Sequence, residues 1–342
     1  MSWACVRVEE VTDRTMSAHI DAEIILHESA SPAALLAAAR AALRRREIPH
    51  PLHYESDDQA ALWQAVHHAH SPWIRDEACR QFYRSTLETV ARRFTSEMGV
   101  LSLGCGTGEK DALLLDALLR VGARPRYRAH DVSRSLVMEA SERCRSLASE
   151  VLRPVVAALP PDAGMRQMLF NGFPRSAPML TLMFGLSPNF EPADFFAGVA
   201  CIAEAGAVLL SANLAAAADY SAGVAAVLPQ YDNPETRAWL MSTMAALGFS
   251  AEDGALVFRV SEPDSQLGVR GIDVRFELSR SRELTVLGER LSLVASDTLR
   301  VFYSYRYTAT LMETCLRNHG LALEQTWISP AADEGIFLVR KQ

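Results

Sequence analysis

Residues 100–111 read VLSLGCGTGEKD, an apolar run passing into Gly104-Cys105-Gly106-Thr107-Gly108. Glycines at this spacing permit a sharp turn and let a ligand lie against bare backbone where a Cβ would clash. A helix opening just after the turn would present its unpaired N–H groups to the same ligand. Asp131 ends a second run, YRAHDVS. An acidic side chain at that separation from a glycine turn can accept hydrogen bonds from the two hydroxyls of a ribose. The pair therefore suits a nucleoside. A dinucleotide site carries GxGxxG, its last glycine packing helix on strand. Here the spacing is GxGxG, followed by Glu109 and Lys110. With no pyrophosphate to hold, S-adenosylmethionine (SAM) is the expected cofactor. Taken alone, the glycine loop is equally a structural turn.

Such a site needs a parallel sheet whose strand ends converge. The chain supplies the pattern in strands at 100–103, 126–131, 179–184 and 207–214, alternating with helices at 111–120, 133–152 and 192–205. Helices are also expected at 32–46, 57–70 and 75–95, with a proline-broken loop at 49–55. Residues 17–28 read as extended. The block 256–308 differs: ALVFRV, DVRFELS, ELTVLG, RLSLVA and LRVFYSYRY are short alternating segments and predict an antiparallel sheet. A helix over 308–319 and a hairpin at 322–327 and 335–340 close the chain. A terminal hairpin added to a parallel sheet matches the seven-stranded methyltransferase arrangement better than a dehydrogenase. The expected fold is α/β, a class I methyltransferase Rossmann-like doubly wound sheet with an inserted α+β substrate-binding domain. Residues 58–214 and 305–342 form the core; 1–57 and 215–304 form the second unit.

Composition agrees with a globular chain. Its 342 residues are 49% hydrophobic and 22% charged, with a net charge of −7. The mildly acidic balance gives no electrostatic footprint for nucleic acid or an anionic membrane. No window reaches the roughly 20 apolar residues of a membrane helix, and the N-terminus lacks a signal-peptide pattern. The six cysteines are scattered without CxxC spacing, so reduced thiols and a cytoplasmic setting are expected. His67, His68 and His70 have no carboxylate or cysteine at ligand spacing, so no metal is expected.

Several segments together resemble the histidine-specific SAM-dependent methyltransferases of ergothioneine biosynthesis and their amino-acid-methylating relatives, over roughly residues 45–342. LSLGCGTGEKDALLLDAL resembles the family's glycine motif and HDVS its ribose-binding strand end. FGLSPNFEP resembles its GN-x-x-P loop, LPQYDNPETRAWL its Tyr-Asp-Asp segment and LHYESDDQAALWQAV its N-terminal Tyr-Asp stretch. LRVFYSYRYT resembles its Arg-Thr-Glu-x-Ser-x-Lys-Phe strand. The resemblance implies cofactor contacts from Gly104, Cys105, Gly106, Gly108, Lys110, Asp131 and Gly185. It implies that Asn189, Tyr231 and Tyr54 hold the amino and carboxylate groups of an amino acid. Where the family has an imidazole-binding glutamate and serine, this chain has Phe302 and keeps Ser304. Its double-tyrosine position becomes Pro72-Trp73, so Trp73 joins Phe302 and Ser304 as pocket candidates. A phenylalanine accepts no hydrogen bond from a ring N–H, and a site lacking its polar partner discriminates strongly. The expected acceptor is a small amino-acid-like molecule other than histidine.

Each residue has a plainer reading. Asn189 could cap a helix near Pro192, Tyr231 could be half-buried structure, and Tyr54 a lid residue. Phe302, Tyr303, Tyr305 and Tyr307 could be core, and Cys105 a small filler. Two further functions compete with transfer to an amine. One is SAM cyclisation to azetidine-2-carboxylate and methylthioadenosine, favoured by aromatic cover for a sulfonium. The other is SAM sensing without turnover.

Overall fold

The computed structural model describes residues 24–53, 57–161, 163–216, 219–264 and 266–342. Tyr54 and most of 17–28 lie outside them. The main sheet contains β1 (Ile25–Leu26), β2 (Glu97–Leu103), β3 (Arg124–Asp131), β4 (Glu150–Val151), β5 (Val155–Val156), β6 (Met179–Met183) and β7 (Ala207–Asn213). A second unit contributes β8 (Gly254–Val260), β9 (Arg270–Leu278), β10 (Arg282–Val286), β11 (Glu289–Leu293) and β12 (Thr298–Arg306). The chain returns to the main sheet with β13 (Leu321–Ile328) and β14 (Glu334–Lys341). The main sheet runs β1-β5-β3-β2-β6-β7-β14-β13, with β4 on β3. Its first six strands pair in parallel, and β14 enters antiparallel to both neighbours. This is the class I methyltransferase strand order, with the late hairpin slotted beside β7.

Alternation explains why the central strands are apolar throughout. Successive side chains point to opposite faces, and helices cover both. On one face, Val100, Leu182, Leu209 and Leu338 pack with Leu87, Leu114, Leu118 and Val137 from the helices Glu77–Ala91, Glu109–Arg120 and Arg134–Cys144. On the other, Leu101, Leu103, Leu210 and Phe337 pack with Phe196, Val199, Met312 and Leu316 from the helices Pro192–Ala203 and Ala309–Asn318.

Three expectations are corrected. The helix expected over 133–152 ends at Cys144, because Glu150–Val151 pairs with β3 and the chain must turn to reach it. The antiparallel block forms two sheets, β12-β9-β8 and the hairpin β10-β11, rather than one. The expected loop at 49–55 contains a 3-10 turn, His50–His53. The N-terminal segment divides. Ile25–Leu26 pairs with β5 at the edge of the main sheet. The helix Pro32–Arg44 instead reaches the small hairpin, where Arg40 Nε donates to the Leu287 carbonyl at 2.7 Å. Inside the second unit, Ile272, Val274, Phe276 and Phe302 pack on Trp239, Leu240 and Met244 of the helix Pro234–Ala246. Among the described residues, no helix is long and apolar enough to cross a membrane, and no His, Cys, Asp and Glu group is placed to hold a metal ion.

Candidate functional site

The site is built at the C-terminal ends of β2, β3 and β6, where an open parallel sheet leaves its crevice. After Leu103 the backbone turns through Gly106 and Gly108, both left-handed with φ of 52° and 75°. They differ in what surrounds them. A Cβ on Gly108 would lie 2.9 Å from the Ala140 Cα, so that glycine lets two helices approach. A Cβ on Gly106 would meet nothing within 4 Å, so its bare face opens outward. Asp131 lies across this bend. Its Oδ2 accepts from the Gly106 N–H at 3.2 Å and its Oδ1 from the Ser133 N–H at 3.0 Å. Burial raises the Asp131 carboxyl pKa, and these backbone N–H groups oppose the rise. Gly185, at the end of β6, is also left-handed with an open Cβ side, and its N–H donates to Ser211 Oγ at 3.0 Å. A bare glycine face beside an oriented carboxylate fits the adenosyl group of SAM.

Cys105 is half-buried, and desolvation of its thiol, with Asp131 and Asp111 nearby, raises its pKa well above the ordinary value. A raised thiol pKa suits a filler and not a nucleophile. Lys110 turns inward. Its ammonium lies 4.1 Å from the centre of the Tyr83 ring and 5.3 Å from that of Trp73. Burial lowers the Lys110 pKa and raises that of Glu334; each charge opposes the shift of the other. The Tyr83 hydroxyl donates to Glu334. Trp73 belongs to this group: its indole N–H donates to Glu109 at 2.7 Å, and its ring meets Tyr83.

The remaining candidates gather around β12. A bulge at Val301 shifts the pairing with β9, after which Phe302, Ser304 and Arg306 share one face. Tyr231 touches all three. Its hydroxyl shares a 2.7 Å hydrogen bond with Ser304 Oγ and accepts from Arg306 Nη2 at 2.9 Å. Its ring centre lies 6.2 Å from that of Phe302, which also meets Trp239 at 5.6 Å and His50 at 5.2 Å. The turn Ser187–Asn189 packs against β12. Asn189 does not cap the next helix, whose N-cap is Glu191; its amide donates to the Gly185 carbonyl at 3.3 Å. Arg300 fastens this region to the core by donating to Asp273 at 2.9 Å and Glu191 at 2.6 Å, while the Tyr305 hydroxyl donates to Glu191 at 2.7 Å.

The structure thus forms two groups: a glycine bend with Asp131, Gly185 and, behind it, Lys110 and Trp73; and a Tyr231 cluster with Phe302 and Ser304. A family described as "Histidine-specific methyltransferase, SAM-dependent" matches residues 75–341. The chain belongs to this family. The match includes the glycine bend, Asp131, the Asn189 turn, Tyr231 and β12; Trp73 lies just ahead of it. This methyltransferase has no match among curated proteins. Solved structures similar to it include magnesium protoporphyrin IX methyltransferase from Synechocystis, at 11% identity over 84% of this chain and 97% of that one, with a TM-score of 0.40. Another is the 1,6-didemethyltoxoflavin N1-methyltransferase of Burkholderia thailandensis, at 12% identity over 83% and 89%, with a TM-score of 0.39. A third is the CcbJ methyltransferase of Streptomyces caelestis, at 11% identity over 76% and 95%, with a TM-score of 0.37.

Three residues of the two groups described above were not singled out from sequence. Tyr83 and Glu334 are 251 positions apart and meet only because β14 inserts beside β7. Arg306 did carry a signal: it continues the alternate positions Phe302 and Ser304.

Proposed function

We propose that this SAM-dependent methyltransferase works in the cytoplasm and methylates the amine of an amino acid or close derivative other than histidine. The observation that carries this reading is the Tyr231 cluster. Its hydroxyl is held by Ser304 and Arg306, while the neighbouring position is the apolar Phe302. Hydroxyl and guanidinium groups suit a polar head group; a phenyl ring cannot accept from an imidazole N–H.

SAM, when bound, supplies an already activated sulfonium methyl group. The chain's work is then position and dryness. Asp131, oriented by the Gly106 and Ser133 N–H groups, is suited to accept from two ribose hydroxyls. Gly106 and Gly185 leave backbone free for close approach. Lys110, next to the bend, offers a buried ammonium of lowered pKa. Tyr231 and Asn189 would hold the amino-acid head group, with Tyr54 a third candidate on the sequence alone. An ammonium acceptor must lose a proton first, and binding it in its neutral form satisfies that requirement without a dedicated base.

Purified protein incubated with methyl-labelled SAM and single amino acids tests this. Labelled product and S-adenosylhomocysteine are expected with at least one amino acid and not with histidine. Methylthioadenosine formed without any acceptor would instead show intramolecular cyclisation of SAM.

A further inference from the structure

Arg306 is a buried cation that makes no ion pair among the described residues. Its residue is 6% exposed, its Nε has no hydrogen-bond partner, and among the described residues no carboxylate lies within ion-pair distance of it. The other arginine on the same strand shows the contrast: Arg300 is matched by Asp273 and Glu191. An unpaired buried charge is costly unless something pairs with it. Glu334 is the acid whose titration Arg306 influences, but it already accepts from Tyr83 and faces Lys110. Glu334 thus answers to both cations, and Lys110 has Asp111 and Glu109 nearby as well, which leaves Arg306 the less compensated of the two. Lysine is otherwise nearly absent from this chain, Lys341 being the second of two, so Lys110 is not one of many surface ammonium groups.

The guanidinium is not merely buried; it faces the Tyr231 cluster. Nη2 donates to the Tyr231 hydroxyl, which in turn meets Ser304. Nε and Nη2 form the planar fork that matches a carboxylate with two parallel hydrogen bonds. On the same face of β12, four residues back, stands Phe302, 8% exposed and packed against Trp239.

We propose that the acceptor is an α-amino acid with a free carboxylate and an apolar or aromatic side chain, its carboxylate pairing with Arg306 and Tyr231 and its side chain lying toward Phe302 and Trp239. This rests on the amino-acid reading given above and goes beyond it by naming the charge that must be present and the side-chain class. The missing negative charge of the site arrives with the acceptor, so acceptor binding and charge compensation are one event.

Calorimetry on the full chain, saturated with S-adenosylhomocysteine, tests it with L-phenylalanine, L-leucine, L-histidine, L-aspartate and the amides of the first two. L-phenylalanine or L-leucine is expected to bind about 100-fold or more tightly than its amide, because the amide leaves Arg306 unpaired. Histidine and aspartate are expected to bind more weakly than either. Arg306→Gln is expected to erase the acid-over-amide preference while S-adenosylhomocysteine affinity stays within about threefold, and Arg306→Lys to keep part of the preference. Equal binding of acid and amide by the wild-type protein overturns the proposal, and needs no variant to be folded. Loss of S-adenosylhomocysteine binding in Arg306→Gln, with the melting temperature kept, also overturns it, by assigning the arginine to the cofactor's own carboxylate. Such equal binding of acid and amide would leave the amino-acid reading standing and remove Arg306 from it. No binding by any of these acids would remove both.

Discussion

Asp131, half-buried, and Asp111, fully buried, are two carboxylates near one bend, yet they serve different ends. Asp131 is oriented by the Gly106 and Ser133 N–H groups, beside the open Cβ side of Gly106. Replacing it with asparagine removes the charge and half the acceptor capacity. The expected loss is about 2 kcal/mol, or roughly 30-fold, in S-adenosylhomocysteine affinity, with little change in melting temperature. Asp111 accepts from the Tyr127 hydroxyl at 2.6 Å, and burial pushes its pKa up to about 6. A carboxyl raised in the native state binds its proton more tightly folded than unfolded. Its contribution is therefore favourable below the unfolded value near 4 and is lost as pH rises through 6. Asp111→Asn should accordingly raise stability above pH 6, by up to about 3 kcal/mol, and give no gain below pH 4. Thermal melts of both proteins from pH 4 to 8 check this; a gain confined to acid pH would contradict it.

At the scale of the element, the glycine bend combines a structural glycine with a ligand-facing one. Gly108→Ala would force a Cβ against the Ala140 backbone at 2.9 Å and place alanine at φ of 75°. A stability loss of about 2 kcal/mol or more is expected. Gly106→Ala meets no protein atom, so only the backbone cost of about 1 kcal/mol applies to folding, while the methyl fills the face where the cofactor lies. Melting temperature should fall more in the first variant and S-adenosylhomocysteine affinity more in the second. The reverse order would show the bend was misread. These elements were readable from sequence because apolar runs ending in glycine or aspartate have few other uses in a doubly wound sheet. The helix Pro234–Ala246 was not read, although its signals exist: Asn233 caps it, Pro234 opens it, and Thr236, Trp239, Leu240, Thr243 and Met244 recur on one face. The strands β4 and β5 span two residues each, too short to show a period. The helix over-extended past Cys144 because SLASEVL favours a helix locally, whereas pairing with β3 claims Glu150–Val151.

Across the whole molecule, the site depends on two units being held in one position. The Arg300 fork joins β9 and β12 of the second unit to Glu191, beside the Asn189 turn of the core. Arg300→Met would leave Asp273 to Arg259 and Arg275 and Glu191 to the Tyr305 hydroxyl. An expected loss of about 2 kcal/mol should come with faster amide exchange at Ser187–Asn189, measured by hydrogen exchange. Unchanged exchange there would mean the units are held elsewhere. Contacts of this span are where sequence reading ends. Ser304 and Tyr231 were each named from local motifs, but their direct hydrogen bond joins positions 73 apart. Trp73 was grouped with Phe302 and Ser304 and stands instead with Lys110 and Glu109, because helix packing and not motif order decides its neighbours. The central claim is that an adenosyl group lies on the open face of Gly106 with its ribose on Asp131. A crystal structure of the S-adenosylhomocysteine complex measures it most directly. Both ribose hydroxyls within hydrogen-bond distance of the Asp131 carboxylate is the predicted result; a nucleoside bound away from the bend, or a ribose that does not meet Asp131, would contradict it.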